Sequence, residues 1–334
     1  MTEFPYHNMG LDLVRATEAA ALAAGRWMGF GQADEGDHRA ALAMEQALRG
    51  INIDGRIVLS ELDKLTDDAP LHLNQSVGTG VGPAMDVVVD PVEGRRLLAQ
   101  GHPDAISVAV GAPRDAFWNA TPAIYMDKIV VDAEVAPALV PECLDAPAAW
   151  TLALVARAKR KEISDLIVFV LQRPRHADLI HEIREAGARV MLRSEGDVVG
   201  ALKTLIGEVD IMMGIGNVPE GLIAACAARA ANGAMLGRLA PQGAEELNAV
   251  REANLDTSRV LTIDELVTSD RVFFAATGVT DGSLLLRGVN ESEDLYASID
   301  AAVERIARQV KRYRAKIKDH RAPTPGGREL GHQV

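Results

Sequence analysis

Small and apolar residues recur at helical spacing near the start of the chain. Leu11, Leu13, Val14, Thr17, Ala21 and Ala24 fall near one face, which predicts a first helix, and a second is expected over about 38–48. Asn52-Ile53-Asp54-Gly55 reads as a turn, and Arg56-Ile57-Val58-Leu59 as a strand ending at Ser60-Glu61. A glycine-rich loop, Val77-Gly78-Thr79-Gly80-Val81-Gly82-Pro83, precedes the strand Met85-Asp86-Val87-Val88-Val89-Asp90, which ends on a carboxylate. Ile106-Ser107-Val108-Ala109-Val110 and Ile129-Val130-Val131 add strands, so this part reads as a mixed sheet with helices on it.

From about residue 146 the pattern becomes a regular alternation. A helix over 148–159 precedes the apolar run Leu166-Ile167-Val168-Phe169-Val170-Leu171. A helix over 176–186, the strand Arg189-Val190-Met191-Leu192, a helix over 197–206 and the strand Val209-Asp210-Ile211-Met212-Met213 follow. Short apolar runs separated by helices of this length predict parallel strands with right-handed crossovers. Ligands of such sheets bind beyond the carboxyl ends of the strands. Those ends carry Gln172-Arg173-Pro174-Arg175, Arg193-Ser194-Glu195-Gly196-Asp197 and Gly214-Ile215-Gly216-Asn217-Val218-Pro219-Glu220. Further on, Arg271-Val272-Phe273-Phe274-Ala275-Ala276-Thr277-Gly278 reads as a strand and 296–317 as a long helix.

A chain of 334 residues exceeds one small core. The change of pattern divides it into a mixed-sheet domain over 1–145, an α/β domain over 146–319, and a mobile tail over 320–334. A formal net charge of −12 argues against a general nucleic-acid binder, which needs a basic surface. No apolar run approaches the roughly 20 residues that span a bilayer, and residues 1–7 lack the pattern of a secretory signal. The two cysteines, Cys143 and Cys226, make neither a zinc spacing nor a disulfide framework, and a cytoplasmic setting is expected.

An acidic protein that handles phosphate needs cations, from metals or from a local basic cluster. Asp90-Pro91-Val92-Glu93-Gly94 admits two readings. Its carboxylates suit hard cations that polarise phosphate and activate water, or Asp90 or Glu93 caps the helix that follows. Glu61 and Asp37 would complete a cluster if the fold brings them near. Arg173-Pro174-Arg175-His176 suits a phosphate at a strand end and helix start, or is a solvated basic loop. His176 is read as a helix-start residue rather than a general base. The glycines after residue 213 imitate a dinucleotide loop, but Pro219 replaces the third glycine and Glu220 puts a negative charge where a pyrophosphate would sit. A carboxylate there fits a metal ligand better.

Taken in order, these motifs resemble one family. Val77-Gly78-Thr79-Gly80, Asp86 to Gly94, Asn52-Ile53-Asp54-Gly55, Tyr125-Met126-Asp127-Lys128, Arg173-Pro174-Arg175-His176, Gly214-Ile215-Gly216 with Pro219-Glu220-Gly221, and Ala276-Thr277-Gly278 are similar to class II fructose-1,6-bisphosphatases of bacteria. That family belongs to the lithium-sensitive phosphatase superfamily, which implies an α/β fold layered as an α/β/α/β/α sandwich. The resemblance implies Mn²⁺ or Mg²⁺ held by Asp37, Glu61, Asp90, Glu93 and Glu220. It places Asp90, Glu61 and the Arg95 position in catalysis. It implies sugar-phosphate contacts at Glu93, Gly94, Arg95, Tyr125, Arg173, Pro174, Arg175, Glu195, Gly196, Asp197 and Asn217. The metal-binding role is thereby expected of the domain over 1–145 and the sugar-phosphate-binding role of that over 146–319. The implied reaction is hydrolysis of the 1-phosphate of fructose 1,6-bisphosphate, in gluconeogenesis, by a homo-oligomer (dimer or tetramer).

The chain departs from that pattern at several positions. Arg95 stands where the family carries a threonine whose hydroxyl orients the attacking water, and a guanidinium only donates. The lysine expected just upstream of Asp37 is absent from Gln32-Ala33-Asp34-Glu35, and the second acidic partner of Glu61 is open among Asp63, Asp67 and Asp68. Asn217 replaces a small glycine. These changes raise two alternatives: a phosphatase of another phosphorylated sugar, or a non-catalytic sugar-phosphate or metal-binding homologue.

Overall fold

The structure, a computed structural model, describes residues 8–60 and 69–284. Glu61, Asp63, Asp67, Asp68, the helix expected over 296–317 and the tail over 320–334 lie outside the described residues. The strands are β1 (Asp54–Ser60), β2 (Ser76–Val77), β3 (Ala84–Glu93), β4 (Ile106–Pro113), β5 (Tyr125–Val131), β6 (Ile167–Leu171), β7 (Arg189–Arg193), β8 (Ile211–Asn217), β9 (Ala234–Leu239), β10 (Leu261–Thr262) and β11 (Phe273–Gly278). The α-helices are α1 (Met9–Gly25), α2 (Ala33–Leu48), α3 (Arg95–Gln100), α4 (Ala148–Lys159), α5 (Ala177–Glu185), α6 (Asp197–Leu205), α7 (Val218–Ala230), α8 (Ala244–Glu252) and α9 (Ile263–Leu266).

Two sheets result. One is five-stranded in the order β11-β4-β3-β1-β2, with β1 and β3 parallel and β3, β4 and β11 antiparallel. The other is six-stranded in the order β10-β9-β5-β8-β6-β7. In it β7, β6 and β8 run parallel as the alternation predicts, and β5 is antiparallel to β8 and β9.

Side-chain alternation along the strands builds the layers. Val87 and Val89 of β3 pack with Leu13, Ala20, Ala40 and Met44 of the α1–α2 pair. Val88, one position out of phase, joins Val108 and Val110 of β4, which meet α6 and α7 through Val199, Leu222 and Ala225. Met126 and Val130 of β5 face that same inner layer. Ile129 and Val131 face the opposite side, with Leu152 and Val155 of α4 and Ile180 and Ile183 of α5. The order helices, sheet, helices, sheet, helices is the expected α/β/α/β/α sandwich.

Two strands sit elsewhere than chain order suggests. Ile129–Val131, read as part of the first sheet, belong to β5 at the centre of the six-stranded one. A central strand needs apolar side chains on both faces, and β5 has them. The strand expected from Arg271 runs from Phe273 to Gly278 and pairs with β4 in the first sheet. There the Thr277 hydroxyl meets that of Thr17 on α1 at 2.8 Å. Among the described residues no helix is long and apolar enough to cross a membrane. Both cysteines are buried, and burial pushes the Cys226 thiol up to about 12.

Candidate active site

The acidic turn owes its geometry to a bulge. Asp90 lies opposite Val108 on β4, whereas Glu93 lies opposite Ile106, so β3 carries one residue more than its partner between these pairs. In a regular strand residues three apart point to opposite faces; the extra residue restores both carboxylates to the inner side. Both are 2% exposed. Glu93 Oε1 accepts from the Val198 backbone N–H at 2.8 Å, in the first turn of α6. The capping expected of this turn is thus found on a helix of the other half of the molecule. The helix that does follow, α3, has as its N-cap Gly94, which has no side chain to cap with and lies in the left-handed region at φ 87°, which glycine adopts without steric cost.

Arg95 opens α3 and lies 3.6 Å from Asp37 of α2, itself 4% exposed. Close approach of the two helices makes this pair: a Cβ on Gly36 would stand 2.8 Å from Leu98 of α3. The next residue, Arg96, reaches the opposite wall. Its Nε donates to one oxygen of Glu195, and its backbone N–H donates to the other at 3.0 Å.

The opposite wall comes from the carboxyl ends of β6, β7 and β8. Arg173 donates to the Ser194 carbonyl at 2.5 Å, and Arg175 donates to the Ile215 carbonyl at 2.8 and 3.2 Å. The Arg175 guanidinium also lies over the Tyr125 ring, 5.0 Å from its centroid. Beneath the floor a fully buried Lys128 binds Asp197 at 2.5 Å. Gly216 passes directly above this pair, where any Cβ would collide with it. Asn217 and Glu220 form a capping box at the start of α7, with the Asn217 N–H donating to Glu220 at 3.3 Å. His176 stands at the start of α5, as expected, and is buried there, and burial holds its pKa below the ordinary 6.5.

These walls enclose a cleft of about 350 Å³. Of the residues singled out in the sequence, Gly94, Arg95, Tyr125, Arg173 and Arg175 line it, as do Glu195, Gly196, Asp197, Asn217 and Glu220. Asp37, Asp90, Glu93 and Pro174 are not lining residues. Asp90 and Glu93 flank the lining Val92, and Asp37 touches the lining Arg95. Arg96 and Asp34 line the cleft without having been singled out. Arg96 had a legible signal, as the second of two adjacent arginines after an acidic turn. Lys128 had one too, as a charge inside the aliphatic run of β5.

Oxygen donors of this kind suit hard divalent cations, and buried carboxylates need positive charge to offset lost hydration. Asp37, Asp90 and Glu93 meet that description. Among the described residues, however, no three His, Cys, Asp or Glu side chains gather closely enough to hold an ion. Glu61 lies outside the described residues. The match to a metal is therefore one of donor chemistry.

Residues 7–317 match the family model described as bacterial fructose-1,6-bisphosphatase, glpX-encoded. The chain is 35% identical over 321 residues to the fructose-1,6-bisphosphatase 1 class 2 of Escherichia coli K12, covering 91% of this chain and 94% of that protein. The class 2 enzymes of Escherichia coli O6:H1 and Shigella flexneri match at the same 35% identity and coverage.

Proposed function

The chain belongs to the bacterial glpX-encoded fructose-1,6-bisphosphatase family, and we propose that it hydrolyses the 1-phosphate of fructose 1,6-bisphosphate to fructose 6-phosphate and inorganic phosphate. The observation that carries this reading is a single cleft in which Arg95, Arg96, Arg173 and Arg175 face one another beside buried carboxylates. Arginine forks suit phosphate oxygens, and two arginine pairs on opposite walls suit a sugar with a phosphate at each end. The family match runs through nearly the whole chain and does not favour the two alternatives raised by Arg95.

In this reading Arg173 and Arg175 hold the distal 6-phosphate. Tyr125 fixes the plane of Arg175, and Asp197, Gly196, Pro174 and Asn217 shape the sugar subsite. Arg95 and Arg96, with the Gly94 turn, bring positive charge to the scissile phosphate. Arg95 does so while paired to Asp37, so its guanidinium also offsets a buried carboxylate. Asp90 and Glu93, with Asp37, Glu61 and Glu220, would hold Mn²⁺ or Mg²⁺. The bound metal supplies polarisation of the phosphate and an activated water. The same reading carries a cytoplasmic setting and a dimer or tetramer. Release of inorganic phosphate from fructose 1,6-bisphosphate by the full chain with Mn²⁺ or Mg²⁺ tests it; no release with either metal refutes it.

A further inference from the structure

The ladder between β6 and β8 ends early. Its pairs are Val168 with Ile211 and Phe169 with Met212, after which β6 leaves through Leu171 for Arg173-Pro174-Arg175-His176. β8 continues to Asn217, with β5 still on its other side and Asp127 opposite Ile215. Peptide groups of β8 that face the departed strand need other partners. Two adjacent side chains supply them at one residue. His176 Nε2 accepts from the Ile215 N–H at 2.8 Å, while Arg175 donates twice to the Ile215 carbonyl. His176 Nδ1 donates to the Leu171 carbonyl at 2.7 Å, the last residue of β6. The ring therefore sits as a wedge where the two parallel strands part, which is where sheets of this kind bind ligands.

The bonds fix the chemical state of the ring. A backbone N–H can only donate and a carbonyl can only accept, so the ring is neutral with its proton on Nδ1. Gly214, at φ 129°, leaves room for it, since a Cβ there would stand 3.0 Å from ring atoms. Four charged groups surround it: Arg175 on its own loop, Lys128 and Asp127 on β5, and Asp197 at the start of α6. Burial is the largest influence and favours the neutral ring. Arg175 and Lys128 act in the same direction, while the Leu171 hydrogen bond and Asp197 oppose it.

We propose that His176 is a positioning residue for sugar-phosphate binding: its neutral ring fixes the Ile215 peptide on which Arg175 is braced, and so aims Arg175 into the cleft. This rests on the reading of the cleft as a sugar-bisphosphate site. Protonation would set an N–H at Nε2 against the Ile215 N–H, both donors, and the brace would loosen. Because the folded-state pKa lies below 6.5, the unfolded chain takes up the proton first as pH falls. The ring's contribution to stability is therefore fully present above the ordinary value and lost as pH falls from there through the lower folded-state value.

The test compares the full wild-type chain with His176→Phe and His176→Gln. Steady-state kinetics are measured from about pH 5.5 to about pH 8, across the histidine range. His176→Phe should raise KM for fructose 1,6-bisphosphate roughly tenfold with kcat little changed, as expected for one lost hydrogen bond at a charged contact. His176→Gln, whose side-chain oxygen can accept from Ile215, should recover part of that loss. The wild-type KM should rise towards acid pH, and that of His176→Phe should not. A wild-type KM in His176→Phe, or a fall in kcat at constant KM, would overturn the proposal. Ring ¹⁵N chemical shifts of wild-type His176 give a readout independent of turnover. A neutral Nδ1–H ring with a pKa below 6.5 is expected; the other tautomer or an ordinary pKa overturns the proposal even in an active enzyme. If wild type hydrolyses no fructose 1,6-bisphosphate, the assigned activity fails. Binding of inorganic phosphate by wild type and His176→Gln, with the ring shifts, still decides the role of His176. If His176→Phe does not fold, these same two measurements carry the test.

Discussion

The two walls of the cleft hold their arginines in different ways. On the acidic-turn side Arg95 and Arg96 are each paired to a carboxylate, Asp37 and Glu195. On the β6–β8 side Arg173 and Arg175 are held by main-chain carbonyls of Ser194 and Ile215. A carbonyl orients a guanidinium without cancelling its charge, whereas a carboxylate does both. The second wall is thus prepared for an anion as it stands. The first must exchange a carboxylate for a phosphate, or share its arginines between them. Binding strength should therefore reside on one wall and its adjustment, together with the chemistry, on the other.

The most severe break in this division is Asp90→Asn. It should cut kcat on the order of 100-fold or more with the fold intact by circular dichroism; undiminished phosphate release would remove Asp90 from the chemistry. Arg175→Ala comes next. Losing a charged contact should raise KM about tenfold to about a hundredfold while kcat falls less, and a change confined to kcat would mean the walls have been assigned the wrong way round. Arg95→Thr relieves Asp37 of its guanidinium. The metal concentration giving half-maximal activity should drop severalfold, and turnover should rise if the threonine hydroxyl, which accepts as well as donates, outweighs the charge lost at the scissile phosphate. Loss of existing turnover would instead make Arg95 part of the reaction itself. The smallest effect is expected from Glu195→Gln, since the Arg96 side chain is largely exposed and such pairs contribute little. KM should fall by no more than about threefold, measured at low salt, and a large rise would show that Glu195 is needed by the sugar.

The sequence made one wall more readable than the other. Arg173, Arg175 and the glycines after residue 213 stand at the ends of apolar runs, and parallel-strand topology alone sends such ends to one edge. On the other wall Asp90 and Glu93 were visible as a pair, but their orientation was not. It depends on the bulge opposite Val108 and Ile106, which is a property of two strands together. The Arg95–Asp37 contact likewise needs α2 and α3 to pack at Gly36, far apart in sequence. His176 shows the limit most clearly. Its place at a helix start was legible, yet its bonds to Leu171 and Ile215 exist because β6 and β8 part there.

By itself the sequence determined the alternation of elements and the residue types of the cleft, because periodicity and strand-end chemistry are local, while the α/β/α/β/α layering followed from the resemblance of its motifs to one family. The tertiary structure alone decided that β5 crosses into the second sheet, that Glu93 caps α6, and which arginines face carboxylates. Those outcomes depend on which surfaces the chain returns to bury, and spacing along the chain does not encode that.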